Sequence, residues 1–130
     1  LAALAAKSLK EVRYHLRHSS NWLIRLGDGT KESNTKAQEA LELLWQYTAE
    51  LFEMDEIDSE LLNAGIAVNN KALKIEWDEI VNRTLKKAKL SRPEDGYMAT
   101  GGKKGMHTEY LGFLLAEMQF LPRAYPDAKW

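Results

Sequence analysis

Apolar residues recur at alternating steps of three and four along most of the chain, and this spacing restricts the fold more than any other feature. The clearest series places one side chain on each turn of a single helix face: Ala2, Ala5, Leu9, Val12, Leu16, Ser19, Leu23 and Leu26. No segment shows the strict alternation of polar and apolar residues that is typical of a half-buried strand. The sequence therefore predicts an all-α fold in which each helix buries one face against its neighbours.

Turn residues and caps set the limits of the predicted helices. The helices are expected over residues 2 to about 25, 34 to about 52, a short stretch around 59–63, 70 to about 89, and 108 to about 121. Gly27 closes the first helix, Asn70 is a good capping residue for the fourth, and Pro122 should end or kink the last. Residues 91–105 are predicted to form a long loop. We expect residues 1–130 to make a single all-α domain in a helical bundle.

Composition excludes several classes of function. The 130 residues are 45% hydrophobic and include four tryptophans, which is enough for one globular core. The 18 basic and 19 acidic residues nearly cancel, so no nucleic-acid partner is expected. No apolar run is long enough to cross a bilayer, so no membrane partner is expected either. The absence of cysteine rules out disulfides and thiolate chemistry and fits a reducing compartment, which we expect to be the cytoplasm.

The chain begins inside a helical pattern. Leu1 stands where an initiating methionine is usual, and no basic region precedes the apolar start, so a signal peptide is not indicated. We expect a fragment that lacks the N-terminal half of its bundle, or an artificial truncation. Half a bundle leaves apolar helix faces uncovered, and the chain is then expected to be poorly soluble alone or to associate with itself.

Residues 101–112 (GGKKGMHTEYLG) form the most distinctive local segment. Glycines allow close backbone approach, and a lysine pair followed by a helix N-terminus is a favourable place for an anion. Lys103, Lys104, Gly101 and Gly102 are therefore candidate phosphate contacts. Two alternatives stay open, a solvated connector and a loop that docks on a partner subunit. The spacing is not that of a P-loop.

Several segments together resemble one family. They are residues 10–17 (KEVRYHLR), 48–52 (TAELF), 101–105 (GGKKG), 107–109 (HTE), 114–119 (LLAEMQ) and the terminal Trp130. In order and spacing they are similar to the PaaC subunits of the phenylacetyl-CoA epoxidase complex, over the C-terminal half of that family's chain. The resemblance implies a ferritin-like helical bundle.

The same resemblance implies that two homologous subunits have different roles, one catalytic and one structural. A homologous catalytic subunit, PaaA, would carry the di-iron centre and PaaC would be a non-catalytic structural partner, with no cofactor in this chain. The complex would convert phenylacetyl-CoA to its ring epoxide with molecular oxygen and electrons from a reductase subunit. Expected partners are then PaaA, the other epoxidase subunits and phenylacetyl-CoA, whose phosphates would meet Lys103 and Lys104.

The residues provide a separate test of iron chemistry. Di-iron bundles use Glu-x-x-His pairs, in which both side chains point to one metal pair, and the sequence contains no such motif. Glu11 and His15 are four apart at the rim of the apolar face, either as remnants of a ligand pair or as a structural polar pair. His107 is interpreted as a capping or packing residue. We assign no catalytic and no metal-binding residue.

Two other functions stay open on the sequence alone. One is a self-contained ferritin-like di-iron oxygenase, and the other is a helical module that binds acyl-CoA or another anion. Tyr14 lies on the side of the first helix opposite its apolar face. Arg13 and Arg17 also lie on the outer side, either as a solvated basic stripe or as contacts at the rim of an interface.

Overall fold

The computed structural model describes residues 1–129, and all regular structure in that range is helical. The five α-helices are α1 Ala2–Gly27, α2 Lys31–Trp45, α3 Glu56–Asn63, α4 Asn70–Lys87 and α5 Tyr110–Ala124. Two short 3₁₀ helices lie at Ala49–Phe52 and Gly102–Lys104. The predicted all-α fold is confirmed. Trp130 lies outside the described residues.

The helices belong to two compact units, Leu1–Ala99 and Thr100–Trp130. In the first unit α1 packs on α2 and α4 around a small core of four buried residues: Trp45, Leu85, Ala88 and Leu90. Leu23 and Ile24 of α1 and Leu41 of α2 pack against this core and are half-buried. The predicted stripe of α1 packs only near its C-terminal end, and the expectation that each helix buries one face is wrong for the rest of it, because Leu9, Val12 and Leu16 are 45%, 56% and 46% exposed.

Side-chain caps place two helix starts earlier than the sequence predicts. Thr30 is the N-cap of α2, and its hydroxyl accepts a hydrogen bond from the Ser33 amide at 3.2 Å, so the predicted start at Asn34 is wrong. Asn34 instead donates to the carbonyls of Gly27 at 2.6 Å and Lys89 at 3.2 Å, which joins α2 to the ends of α1 and α4. Asp55 and Asp58 form a capping box that starts α3 at Glu56 rather than at residue 59.

The end of α2 and the N-cap of α4 differ from prediction, although α4 begins at Asn70 as predicted. The α2 helix stops at Trp45 because the next amides bond three residues back: Tyr47 donates to Leu44 and Thr48 to Trp45. The Thr48 hydroxyl bonds the same Trp45 carbonyl at 2.8 Å, so the predicted continuation to residue 52 is wrong. The N-cap of α4 is Asn69 rather than Asn70, and its side chain accepts from the amides of Lys71 and Ala72.

The second unit consists of a tight turn and a mostly exposed helix. Gly101 and Gly105 have φ angles of 97° and 83° and flank the 3₁₀ turn Gly102–Lys104, and this left-handed region is one that glycine occupies readily. Helix α5 continues through Pro122 to Ala124, so the predicted end at residue 121 is wrong. The amide of Tyr125 still bonds the Leu121 carbonyl at 2.9 Å and closes the last turn.

None of the helices formed by residues 1–129 combines the length and apolar character needed to cross a lipid bilayer.

Candidate functional site

An apolar groove runs between α1, α2 and α4 in the first unit. Its volume is about 290 Å³, and its walls are formed by Leu16, Ser19, Ser20, Leu23, Leu41, Leu44, Trp45, Thr48, Trp77, Ile80, Val81, Thr84 and Leu85. Trp45 is 4% exposed, whereas Leu16 and Leu44 are 46% and 59% exposed. The groove is therefore the open side of a core, with apolar side chains facing solvent over its length.

Two tryptophans and a phenylalanine form one wall of aromatic rings. The rings of Trp45 and Trp77 lie 5.8 Å apart at 39°, and Phe52 meets Trp77 edge to face at 5.3 Å. Such pairs stabilise by about 0.5–1.5 kcal/mol beyond the area that they bury. These contacts join α2, the following 3₁₀ turn and α4 into one scaffold.

Arg92 packs its guanidinium against the same tryptophans. Its Cζ atom lies 4.9 Å from the Trp45 ring centre and 5.8 Å from that of Trp77. Nη2 donates to Asp78 Oδ1 at 2.7 Å and Nη1 donates to Asn82 Oδ1 at 2.9 Å. Arg92 thus combines ring stacking with directed hydrogen bonds, which lysine could not reproduce at this site.

The segment 90–99, called the strap below, is held along α2 and α4 by further hydrogen bonds. The Gln38 side chain both accepts from the Ser91 amide at 2.9 Å and donates to its carbonyl at 3.1 Å. Trp45 Nε1 donates to Asp95 Oδ1 at 2.9 Å, and the Ala99 amide donates to the Gln46 carbonyl at 2.9 Å. The strap is non-helical, as the sequence predicts, and its hydrogen bonds attach it to the neighbouring helices.

Sequence reasoning missed the strap and its arginine. The partners of Ser91 and Asp95 are 53 and 50 positions away, beyond the reach of any local spacing rule. The only available signal was the occurrence of an arginine next to Pro93 in a polar segment.

Asp78 lies between two cations. Its Oδ2 atom accepts from Lys74 at 2.8 Å and its Oδ1 atom accepts from Arg92. The hydrogen bonds from Lys74 and Arg92 lower the pKa of Asp78 below its ordinary value of 3.8. Asp78 therefore stays ionised under mildly acidic conditions and keeps Arg92 in place.

The glycine-rich turn holds both predicted lysines at the surface of the second unit. The Gly101 carbonyl accepts from the amides of Lys104 at 2.8 Å and Met106 at 3.0 Å, which closes the turn. A Cβ atom on Gly101 would lie 2.8 Å from Met106 Sδ, so the Met106 side chain would have to move to accept it. Lys103 and Lys104 are exposed, and their contact with an anion stays a prediction.

The two members of the predicted polar pair, Glu11 and His15, are both exposed on α1. No hydrogen bond or ion pair joins Glu11 to His15 within residues 1–129. The His15 ring instead approaches Tyr14 edge-on at 6.1 Å, and His18 stacks on Tyr14 at 5.8 Å. The role of Glu11 and His15 stays a prediction.

The histidines of the described residues lie apart from any cluster of carboxylates. Over residues 1–129 no three His, Asp, Glu or Cys side chains come together as a possible metal site. Of the three histidines, His15 and His18 lie on the exposed part of α1 and His107 precedes α5 in the second unit.

The packing of α1 on α2 and α4 around an apolar groove identifies this chain as a helical-bundle protein. The sequence profile of the family PaaA_PaaC, described as phenylacetic acid catabolic protein, matches residues 1–130, and the chain belongs to this family. The ferritin-like fold of the family agrees with the all-helical structure.

A curated relative gives a closer comparison. The chain is 51% identical over all of its 130 residues to the C subunit of the 1,2-phenylacetyl-CoA epoxidase of Escherichia coli strain K12. The match covers 52% of that relative, so the chain spans about half the length of the curated protein it matches. The family predicted from the sequence segments is confirmed.

Proposed function

We propose that the chain acts in the structural, non-catalytic subunit of a phenylacetyl-CoA epoxidase and supports the homologous oxygenase subunit PaaA in aerobic phenylacetate degradation. The observation that carries the proposal is the 51% identity along the whole chain to a relative named as the C subunit of that enzyme. In this proposal the di-iron centre belongs to PaaA, this chain holds no cofactor, and the complex works in the cytoplasm.

The geometry supports a scaffolding role. The strap, Arg92 and the paired tryptophans fix α2 and α4 against each other, while the groove beside them presents apolar side chains that need a cover. The histidines of α1 engage neighbouring aromatic rings rather than a carboxylate pair. An uncovered apolar face needs a cover, which the rest of the longer protein and the oxygenase subunit would supply in this proposal.

We also propose that Lys103 and Lys104 contact the phosphates of the coenzyme A substrate. The turn between Gly101 and Gly105 presents both ammonium groups at the surface, and lysine binds phosphate as a mobile point charge. This contact would act on the CoA end of the substrate, away from the reacting ring.

Co-purification tests the assembly. The full-length protein is co-expressed with a tagged oxygenase subunit of the same family, and the eluted complex is sized by light scattering. We expect both chains to elute together at a fixed ratio. As a control, an unrelated ferritin-like protein co-expressed with the tagged subunit should not elute with it. Separate elution of the two chains would refute the proposed function.

A further inference from the structure

One face of α1 carries a row of aromatic rings with two arginines packed on it. The His18 ring lies 5.8 Å from Tyr14 and 6.4 Å from Trp22, so the three rings form a ladder at steps of four residues. Arg17 lies over Tyr14 and Arg25 over Trp22, each with Cζ 5.6 Å from the ring centre. We call these five residues the aromatic–arginine face.

This face points away from the core of its unit. Leu23, Ile24 and Gly27 occupy the packed side of α1. At 100° per residue, the ladder residues Tyr14, His18 and Trp22 are centred roughly half a turn from them. Tyr14 and Trp22 are 51% and 49% exposed, so no other helix of the first unit covers the ladder. None of the five residues lines the apolar groove, and only Arg17 also borders a second groove between α1 and α4, together with Arg83 and Lys87.

The charge of α1 differs from that of the rest of the chain. The helix contains five basic residues, Lys7, Lys10, Arg13, Arg17 and Arg25, and a single acid, Glu11. Its formal charge is therefore +4, although the whole chain carries −1. A helix with this charge attracts an acidic surface over a distance of about a Debye length.

The ladder also holds its arginines in place before binding. Stacking on an aromatic ring restricts a guanidinium to fewer rotamers, so less side-chain entropy is lost when it binds a carboxylate. Tryptophan, tyrosine and arginine are the residue types that dominate binding energy at protein interfaces. We propose that the aromatic–arginine face docks an acidic surface of a partner protein, and this inference rests on the proposed function of the chain within an assembly.

A protein partner fits this face better than nucleic acid does. Binding to a phosphate backbone requires a basic surface extending over several phosphates. Here Glu11 lies on the same side of α1 as His18, and the remaining chain is acidic. Individual carboxylates on a partner surface can pair with Arg17 and Arg25 and stay away from Glu11.

The test measures binding of the full-length protein to the oxygenase subunit with charge-reversed variants. The test variant is Arg17→Glu/Arg25→Glu. The control variant, Lys31→Glu/Lys71→Glu, changes the net charge by the same amount at exposed positions. Both control positions lie near helix N-termini, where an acidic side chain is favourable. We expect the arginine variant to weaken association by roughly tenfold to a hundredfold and the lysine variant to bind as the parent does. The parent complex should weaken as salt rises, and the arginine variant should have lost this dependence.

Trp22→Ala provides a second variant that keeps the charge. It should also weaken binding several-fold without changing the salt dependence, because it removes the ring beneath Arg25.

Four results would overturn the inference. Equal binding by both double variants would refute the docking face while leaving the proposed function intact. Loss of cooperative unfolding of the separately purified arginine variant would place the face inside its own chain, whereas loss of the two ring contacts and of the last-turn cation should lower its unfolding temperature only slightly. Retention of a single-stranded 20-nucleotide DNA by the parent but not by the arginine variant would assign the face to nucleic acid. Failure of the parent protein to bind the oxygenase subunit would refute the proposed function and this inference with it.

Discussion

Gly27→Ala tests the closest approach between α1 and α4. Gly27 is the last residue of α1 and is buried against Ala88, which is fully buried. A Cβ atom at position 27 would lie 2.2 Å from the Ala88 carbonyl oxygen and 2.9 Å from its Cβ atom. Ordinary contact begins near 3.4 Å, and the obstacle is backbone rather than a flexible side chain. The two helix ends must therefore separate by about 1 Å.

Two terms of opposite sign set the size of the effect. Overpacking of a close contact costs about 1–3 kcal/mol. Alanine is a better helix former than glycine by up to about 1 kcal/mol, and less at a helix end. The separation also stretches the 2.6 Å hydrogen bond from Asn34 to the Gly27 carbonyl. We expect Gly27→Ala to lower the free energy of unfolding by about 1–3 kcal/mol.

Urea unfolding followed by tryptophan fluorescence measures this loss, because Trp45 and Trp77 lie in the same unit as Gly27. Protein concentration is held fixed, since association couples to stability. The matched control is Gly96→Ala in the strap, where an added Cβ atom meets nothing within 4 Å. It should change the free energy of unfolding by less than about 0.5 kcal/mol. Equal stability of the two variants would show that α1 and α4 do not meet at position 27.

Three further predictions concern the charge cluster, the open groove and the lysine turn. Because the folded state lowers the pKa of Asp78, its ion pairs contribute stability above about pH 4 that is lost as the pH falls through 3.8 and below. Asp78→Asn should therefore lower the urea midpoint more at about pH 7 than at about pH 3, and equal losses at both would contradict the pairing. The 130-residue chain alone should form concentration-dependent oligomers in sedimentation, because its groove is uncovered, whereas a monomer that unfolds cooperatively would count against this. Lys103→Ala/Lys104→Ala should weaken CoA binding by the assembled complex about tenfold in calorimetry while leaving its composition unchanged, and unchanged affinity would remove the phosphate assignment.

The fold class was predictable because apolar spacing at three and four needs no knowledge of distant residues. The series from Ala2 to Leu26 defines α1 almost to its ends. The boundaries that failed depend on single capping groups. Thr30 and Asp55 compete with neighbouring residues as caps, and the geometry that decides between them forms only when the backbone turns.

The candidate site was less predictable because its contacts are distant in sequence. Periodicity placed Trp45 and Trp77 on apolar faces but gave no reason to bring Arg92 between them. The ladder on α1, in contrast, consists of contacts between residues that are close in sequence. Tyr14, His18 and Trp22 are four apart, so their stacking follows from helix geometry, but only the structure shows that this side is uncovered within residues 1–129.

Metal content separates a supporting subunit from an oxygenase that holds its own iron. Iron is measured in the separately purified full-length protein and in its oxygenase partner, with each chain expressed in iron-supplemented medium. We expect about two irons per partner chain, as a di-iron bundle requires, and a substoichiometric trace in the protein containing this chain. Two stoichiometric irons bound to the latter would contradict the supporting role and identify it as a di-iron protein in its own right.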